Sequence, residues 1–232
     1  MMQHTKPIYL LADSQPLFTN QSDGTPLLAE IPSLFHPPSS VKSTPTLTAA
    51  YIGASNGDEP VFFELFEQAM QRLGIYDCHM IPATFSSEAK EILKKAHIIL
   101  LAGGDPVAGW EVMQKAHIPR LLLERYNQGA LLMGVSAGAM QLGWQIPHSQ
   151  NSESGFIEGL KLAPFLISAH EDEPEWPMLQ NMVSKSTSMS RGIGIPYGGV
   201  VIYHLEGEAE IKGNAATEII YKEGRFVTSI IH

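Results

Sequence analysis

The feature that most constrains this chain is a series of short, largely apolar runs separated by segments of helical periodicity. The runs are "IYLLA" at 8–12, "LTAAYIGA" at 47–54, "CHMIP" at 78–82, "IILLA" at 98–102 and "ALLM" at 130–133. Between them, 60–73 places Phe62, Leu65, Phe66, Ala69 and Leu73 on one helical face and closes at Gly74. Asp58 is the expected N-cap of that helix, with Pro60 in its first turn. Further helices are expected over 87–96, 106–115 and 119–128, and from 137 onward. Strands that read as continuous apolar runs and alternate with helices indicate a parallel sheet covered on both faces. The expected fold is therefore α/β and three-layered, a mostly parallel sheet flanked by helices.

Two stretches break the alternation. The segment 13–46 is rich in Pro and Ser, which forbids long helix or central strand, so a long loop with short helical pieces is expected. After Gly192, "GIGIPYGGVVIYH", "EAEIK", "TEIIYK" and "RFVTSII" read as short antiparallel strands, a meander at one sheet edge. No repeat or linker interrupts the chain, so one domain over 1–232 is expected.

Composition narrows the function. A formal net charge of −9 disfavours nucleic acid and anionic membrane surfaces as partners. Cys78 is the only cysteine, so neither an intrachain disulfide nor a cysteine zinc cluster can form. No H-x-x-x-H or H-E-x-x-H spacing occurs, and the expectation is no metal and no cofactor. No signal peptide or membrane-length apolar run is recognisable, which points to a soluble, cytoplasmic protein.

The stretch "LLMGVSAGAMQLG", 131–143, carries a G-x-S-x-G spacing centred on Ser136, where a strand passes into a helix. A nucleophilic serine on such an elbow needs small neighbours, because its backbone is strained and the helix packs close behind it. Small residues there also serve plain helix-on-sheet packing. Serine needs a base, and His170 ends the apolar run of "LKLAPFLISAH". That puts both residues at carboxyl ends of strands, where sites of open α/β sheets form. His36, His79, His97, His117 and His148 read as surface or packed residues.

The acid that would orient the base is not separated by the sequence. Glu153, Glu158, Glu171 and Asp172 are candidates, with Glu153 in the polar "HSQNSESG" segment between serine and histidine. In "LLAGGDP", 100–106, Asp105 and Pro106 fit an N-cap and N1 pair. Gly103 and Gly104 let backbone approach a ligand, and the amides of Gly104 and Ala137 would form an oxyanion hole. Gly103, Asp105, Glu171 and Asp172 would border the substrate. The acids after His170 would favour a cationic group, or else cap a following helix.

The pieces "LLAGGDP", "LLMGVSAGAMQLG", "LAPFLISAH" and "GIGIPYGGVVIY", in that order, resemble the serine peptidase family of dipeptidase E and cyanophycinase. The resemblance implies a class I glutamine amidotransferase-like fold with serine in place of the amidotransferase cysteine. It implies Ser136 as nucleophile, His170 as base, the Gly103–Gly104 turn as oxyanion loop and an acid between serine and histidine. The expected partner is a small peptide or isopeptide substrate, with a homodimer allowed. "HEDEPEWPML" departs from the family, since the arginines expected after the histidine are missing. Two other readings remain: an α/β-hydrolase esterase using His204 or His232, and a catalytically silent relative that binds a small molecule or partner.

Overall fold

A computed structural model describes residues 5–35, 46–148 and 155–232. The first half alternates as expected: β1 (Ile8–Leu11), β2 (Thr48–Ile52), α1 (Pro60–Arg72), β3 (Asp77–Ile81), α2 (Ser87–Lys95) and β4 (Ile98–Leu101). Two helices, α3 (Pro106–Lys115) and α4 (Ile118–Asn127), precede β5 (Leu131–Val135) and α5 (Ala137–Leu142). Then come β6 (Gln145–Pro147), β7 (Phe156–Glu158), β8 (Leu166–Ala169), α6 (Pro177–Lys185) and β9 (Arg191–Ile195). The chain closes with β10 (Gly199–Tyr203), β11 (Ala209–Gly213), β12 (Ala216–Lys222) and β13 (Arg225–Ile231). In the described part of the Pro-rich stretch, regular structure is limited to short 3-10 turns at Gln15–Leu17 and Ile31–Phe35.

A seven-stranded sheet runs in the order β11-β10-β1-β5-β4-β2-β3. β1, β5, β4, β2 and β3 are mutually parallel, and β10 and β11 add antiparallel at one edge. Alternate residues of each central strand face opposite layers, as the two-residue strand period requires. Ile8, Leu10, Ala50, Ile52, Ile99, Leu101 and Leu132 pack against α2, α3, α4 and α5. Tyr9, Leu11, Ala49, Tyr51, Ile98, Leu100, Leu131 and Met133 pack against α1 and the 3-10 turns. Both faces are thus dry, which is why these strands read as uninterrupted apolar runs. Each such large side chain removed from water stabilises the fold by about 1.5–3 kcal/mol before entropy is counted.

The structure corrects the expected tail. It is not one meander: β10 and β11 extend the main sheet, while β9, β12 and β13 join β8 in a separate four-stranded sheet ordered β13-β12-β9-β8. β8 and β9 are parallel, linked by α6, whose Leu179, Met182 and Val183 cover Leu166 and Ile219. The strand ahead of His170 therefore belongs to this second sheet rather than to the main one. Glycines alternate with isoleucines in β9, and a Cβ on Gly194 would fall 2.4 Å from the Trp176 ring. A run chosen for helix and ring approach cannot be told from an edge strand by periodicity alone. A second correction concerns Asp58, which does not cap α1. It sits at φ 61°, and its Oδ2 accepts the Ala83 N–H at 2.6 Å, tying two loops together.

Helix α5 lies unusually close to the main sheet. A Cβ on Gly138 would come within 2.1 Å of the Leu101 carbonyl oxygen, and one on Gly134 within 2.4 Å of the Gly138 carbonyl carbon. Backbone packed on backbone leaves no room to yield. Gly138→Ala is therefore expected to lower the unfolding free energy by at least about 1–3 kcal/mol, read as a lower denaturant midpoint.

Candidate active site

Ser136 stands between β5 and α5, with φ 49° and ψ −106°. That backbone conformation is costly for a residue with a side chain, on the order of 1–3 kcal/mol, and persists only where the surroundings impose it. They do so here at both ends: the Ser136 N–H donates to Leu11 O at 2.8 Å, and its carbonyl accepts from Met140 N–H at 3.1 Å. The close seating of α5 supplies the rest of the constraint.

His170 follows β8 and is held as firmly. Its φ is 47°, and its N–H donates to Ile195 O on the neighbouring β9 at 2.8 Å. The imidazole stacks on Tyr197, with centroids 5.2 Å apart and planes 24° from parallel. The Tyr197 loop is anchored in turn. Asp13, just past β1, accepts the Gly198 N–H at 2.7 Å, and Asn214 Nδ2 donates to Tyr197 O at 2.7 Å. In consequence Ser136 Oγ and His170 Nε2 stand 2.8 Å apart, within hydrogen-bond reach across the two sheets.

The "LLAGGDP" turn lies beside the serine. Asp105 caps α3, its Oδ1 accepting from Val107 and Ala108 N–H at 2.9 and 3.0 Å. Gly104 has φ 130°, and a Cβ there would strike the Ser55 carbonyl oxygen at 2.0 Å. Only glycine fits both conditions. Among the described residues, neither the Gly104 nor the Ala137 amide has a backbone acceptor. The turn is fastened to α5 by Gln141, fully buried, whose Nε2 donates to Ser55 Oγ and to Pro106 O, both at 2.9 Å. Ser55 O accepts the Asp105 N–H at 2.7 Å.

Two cavities meet at this point. The larger, about 620 Å³, is lined by Gly104, Asp105, Glu111, Ser136, Ala137, Met140, His148, His170 and Met178, among others. The smaller, about 370 Å³, lies towards α1 and shares Gly104, Ser136 and His170 with it. Gly103 lines the smaller cavity and Asp105 the larger. Tyr51, on the wall of the smaller one, has its phenol pushed to higher pKa by burial and is neutral.

The structure does not bring every expected residue to the site. Glu171 turns away from both cavities and caps α6: its carboxylate accepts from Met178 N–H, Leu179 N–H and Ser168 Oγ at 2.9, 3.0 and 2.5 Å. Of the two roles open to the acids after His170, Glu171 has the helix-terminus one, because an N-terminus offers unpaired N–H donors that a carboxylate satisfies. Asp172 is exposed and lines neither cavity. Glu153 lies outside the described residues. Among the described residues, no carboxylate is within ion-pair distance of His170. The serine's histidine partner is His170, and neither His204 nor His232 lines either cavity.

Other site residues escaped the sequence reading. His148 reads as a surface or packed residue yet lines the larger cavity; Tyr197 and Gln141 lie within motifs that give them no role, and Asp13 carries no motif signal. Tyr197 had one available cue, an aromatic within "PYGG" turn residues directly after an apolar strand.

A family model, Peptidase family S51, matches residues 42–211. The chain belongs to this family. It is a serine peptidase, as the resemblance had implied. A search of curated protein sequences returns no match. Among solved structures, a peptidase from an acI-B1 Actinobacterium shares the fold with a TM-score of 0.70 and 20% identity, over 100% of this chain and 96% of its own. A peptidase E candidate from Listeria monocytogenes EGD-e aligns with a TM-score of 0.64 and 20% identity, over 90% of this chain and 98% of its own.

The Gln141 amide has its own testable consequence. Gln141→Met keeps the volume but strips Ser55 Oγ and Pro106 O of their donor. The expected loss is about 1–3 kcal/mol of folding free energy, measured by chemical denaturation.

Proposed function

We propose that this S51 peptidase hydrolyses the amide bond of a small peptide or isopeptide through an acyl-enzyme on Ser136, with His170 as general base. The observation that carries this reading is the 2.8 Å contact between Ser136 Oγ and His170 Nε2 at a strained strand-to-helix turn. Serine is a weak nucleophile at neutral pH, and a base at this distance removes its proton as attack occurs.

The steps follow from the placement. Ser136 Oγ attacks the substrate carbonyl carbon while its proton passes to His170 Nε2. The carbonyl oxygen takes up the charge, and the Gly104 and Ala137 amides are the donors we assign to it. Such preorganised donors cost no reorganisation when the charge develops. His170 then gives the proton to the departing nitrogen as the C–N bond breaks, releasing the amine and leaving an ester on Ser136. Water, deprotonated by the same imidazole, cleaves the ester and restores the serine.

The ring orientation of His170 matters as much as its distance. Stacking on Tyr197 and the backbone bond to Ile195 hold the imidazole plane. We assign the acid of the constellation to Glu153, from its place in the chain between the serine helix and the histidine strand. Cys78 is not a competing nucleophile. It lies on β3, its thiol is pushed up to about 11 chiefly by burial, and it lines neither cavity.

A fluorophosphonate probe should add one label to the protein by intact mass, lost entirely in Ser136→Ala. His170→Gln should slow labelling by about 10²–10⁴-fold. Unlabelled wild type, with smaller sulfonyl fluorides equally silent, would remove Ser136 from the mechanism. Cys78→Ser should label and hydrolyse at the wild-type rate, and the wild-type thiol should resist iodoacetamide at neutral pH, because it is protonated there.

A further inference from the structure

The smaller cavity differs in chemistry from the larger one. Its walls are Leu17, Tyr51, Phe62, Leu65, Phe66 and Val135, with Asp13, Ser14, Asn56 and Tyr197 at its polar side. Tyr51 and Phe66 form a buried floor, 5.5 Å apart by ring centroid. Phe62 and Tyr197 line the same cavity while remaining 47% and 49% exposed. Large aromatic side chains left half-wet beside a nucleophile are unfavourable in the free protein, and an apolar ligand that covers them recovers that cost. The volume, about 370 Å³, falls within the ordinary range of small-ligand sites.

Charge excludes the opposite occupant. Among the described residues, no lysine or arginine lines either cavity. On the smaller one, the only carboxylate among the described residues is Asp13, fixed by the Gln15 and Gly198 amides at 2.6 and 2.7 Å. A substrate carboxylate placed there would lose its hydration, face a like charge and find no cation in return.

We propose that the smaller cavity is a specificity subsite for an apolar or aromatic side chain of the peptide substrate, adjoining the bond that Ser136 attacks, and that it rejects acidic side chains. This rests on the reading of Ser136 as the reacting residue, because the cavity opens directly onto it. The helix α1 face bearing Phe62 and Leu65 determines the preference, and Asp13 sets the sign of charge refused.

The test separates recognition from chemistry. Calorimetry on Ser136→Ala, which cannot turn substrate over, compares the dipeptides Phe-Ala, Ala-Phe, Asp-Ala, Ala-Asp and Ala-Ala; the same series is then run as substrates of the wild type. One of the two phenylalanine dipeptides should bind at least about tenfold more tightly than Ala-Ala and than both aspartyl dipeptides. Leu65→Trp, which fills the cavity, should erase that advantage. Phe62→Arg, a change at a half-exposed position, should narrow the gap to the matching aspartyl dipeptide. Equal binding across the series, or tighter binding of an aspartyl dipeptide, overturns the subsite. Fluorophosphonate labelling of Ser136 together with an aspartyl preference would overturn the subsite and leave the nucleophile intact. A phenylalanine preference abolished by Leu65→Trp in a protein that never labels would sustain the subsite and overturn the nucleophile.

Discussion

Helix α5 meets the main sheet backbone to backbone, and much of the site follows from that contact. With Gly138 against the Leu101 carbonyl and Gly134 beneath the helix, α5 can start only where β5 ends. The chain must then reverse within one residue, and Ser136 takes the strained conformation that this demands. The same seating brings Gln141 within reach of Ser55 and Pro106, so the turn carrying Gly104 is positioned from the same helix. Strain at the serine is thus held in place by the close packing of α5 together with the backbone bonds of Ser136 to Leu11 and Met140.

The histidine is delivered from a different body of structure. β8 belongs to the four-stranded sheet, and the end of that strand is held by Ile195 O, by the Tyr197 ring and, one residue on, by the capping of α6 through Glu171. Asp13 joins the two parts, since it lies after β1 of the main sheet and fixes Gly198 beside Tyr197. Serine and histidine therefore meet at a seam, with cavities of unlike chemistry opening on either side.

Legibility in the sequence followed the range of the interactions. The parallel strands β1, β2, β4 and β5 were readable because each is buried on both faces and shows it in its own residues, while the half-buried edge strand β3 was readable from its place between two helical segments. Ser136, Gly104 and the Asp105 cap were readable because strand, turn and helix start lie within a dozen residues of each other. The division of the tail into two sheets was not, because β9 pairs with β8 and β12 through contacts that no local period records. Glu171 was open between two roles because the α6 amides that claim its carboxylate, those of Met178 and Leu179, lie seven and eight residues further along the chain. Tyr197 and Asp13 act through tertiary contacts across 27 and 185 positions, distances at which sequence pattern has nothing to say.

Placing the pair across a seam has a consequence for how the protein fails under heat. The four-stranded sheet ends in β13, whose residues are almost all exposed and which has a neighbour on one side only. Regions with few buried contacts open at lower free energy than the core. Fraying that spreads from β13 through β12 to β9 would release Ile195 and with it the anchor of His170, while the parallel sheet and Ser136 stay folded. Inactivation on warming would then run ahead of the loss of helical signal, and be reversible up to the temperature at which the main sheet itself gives way.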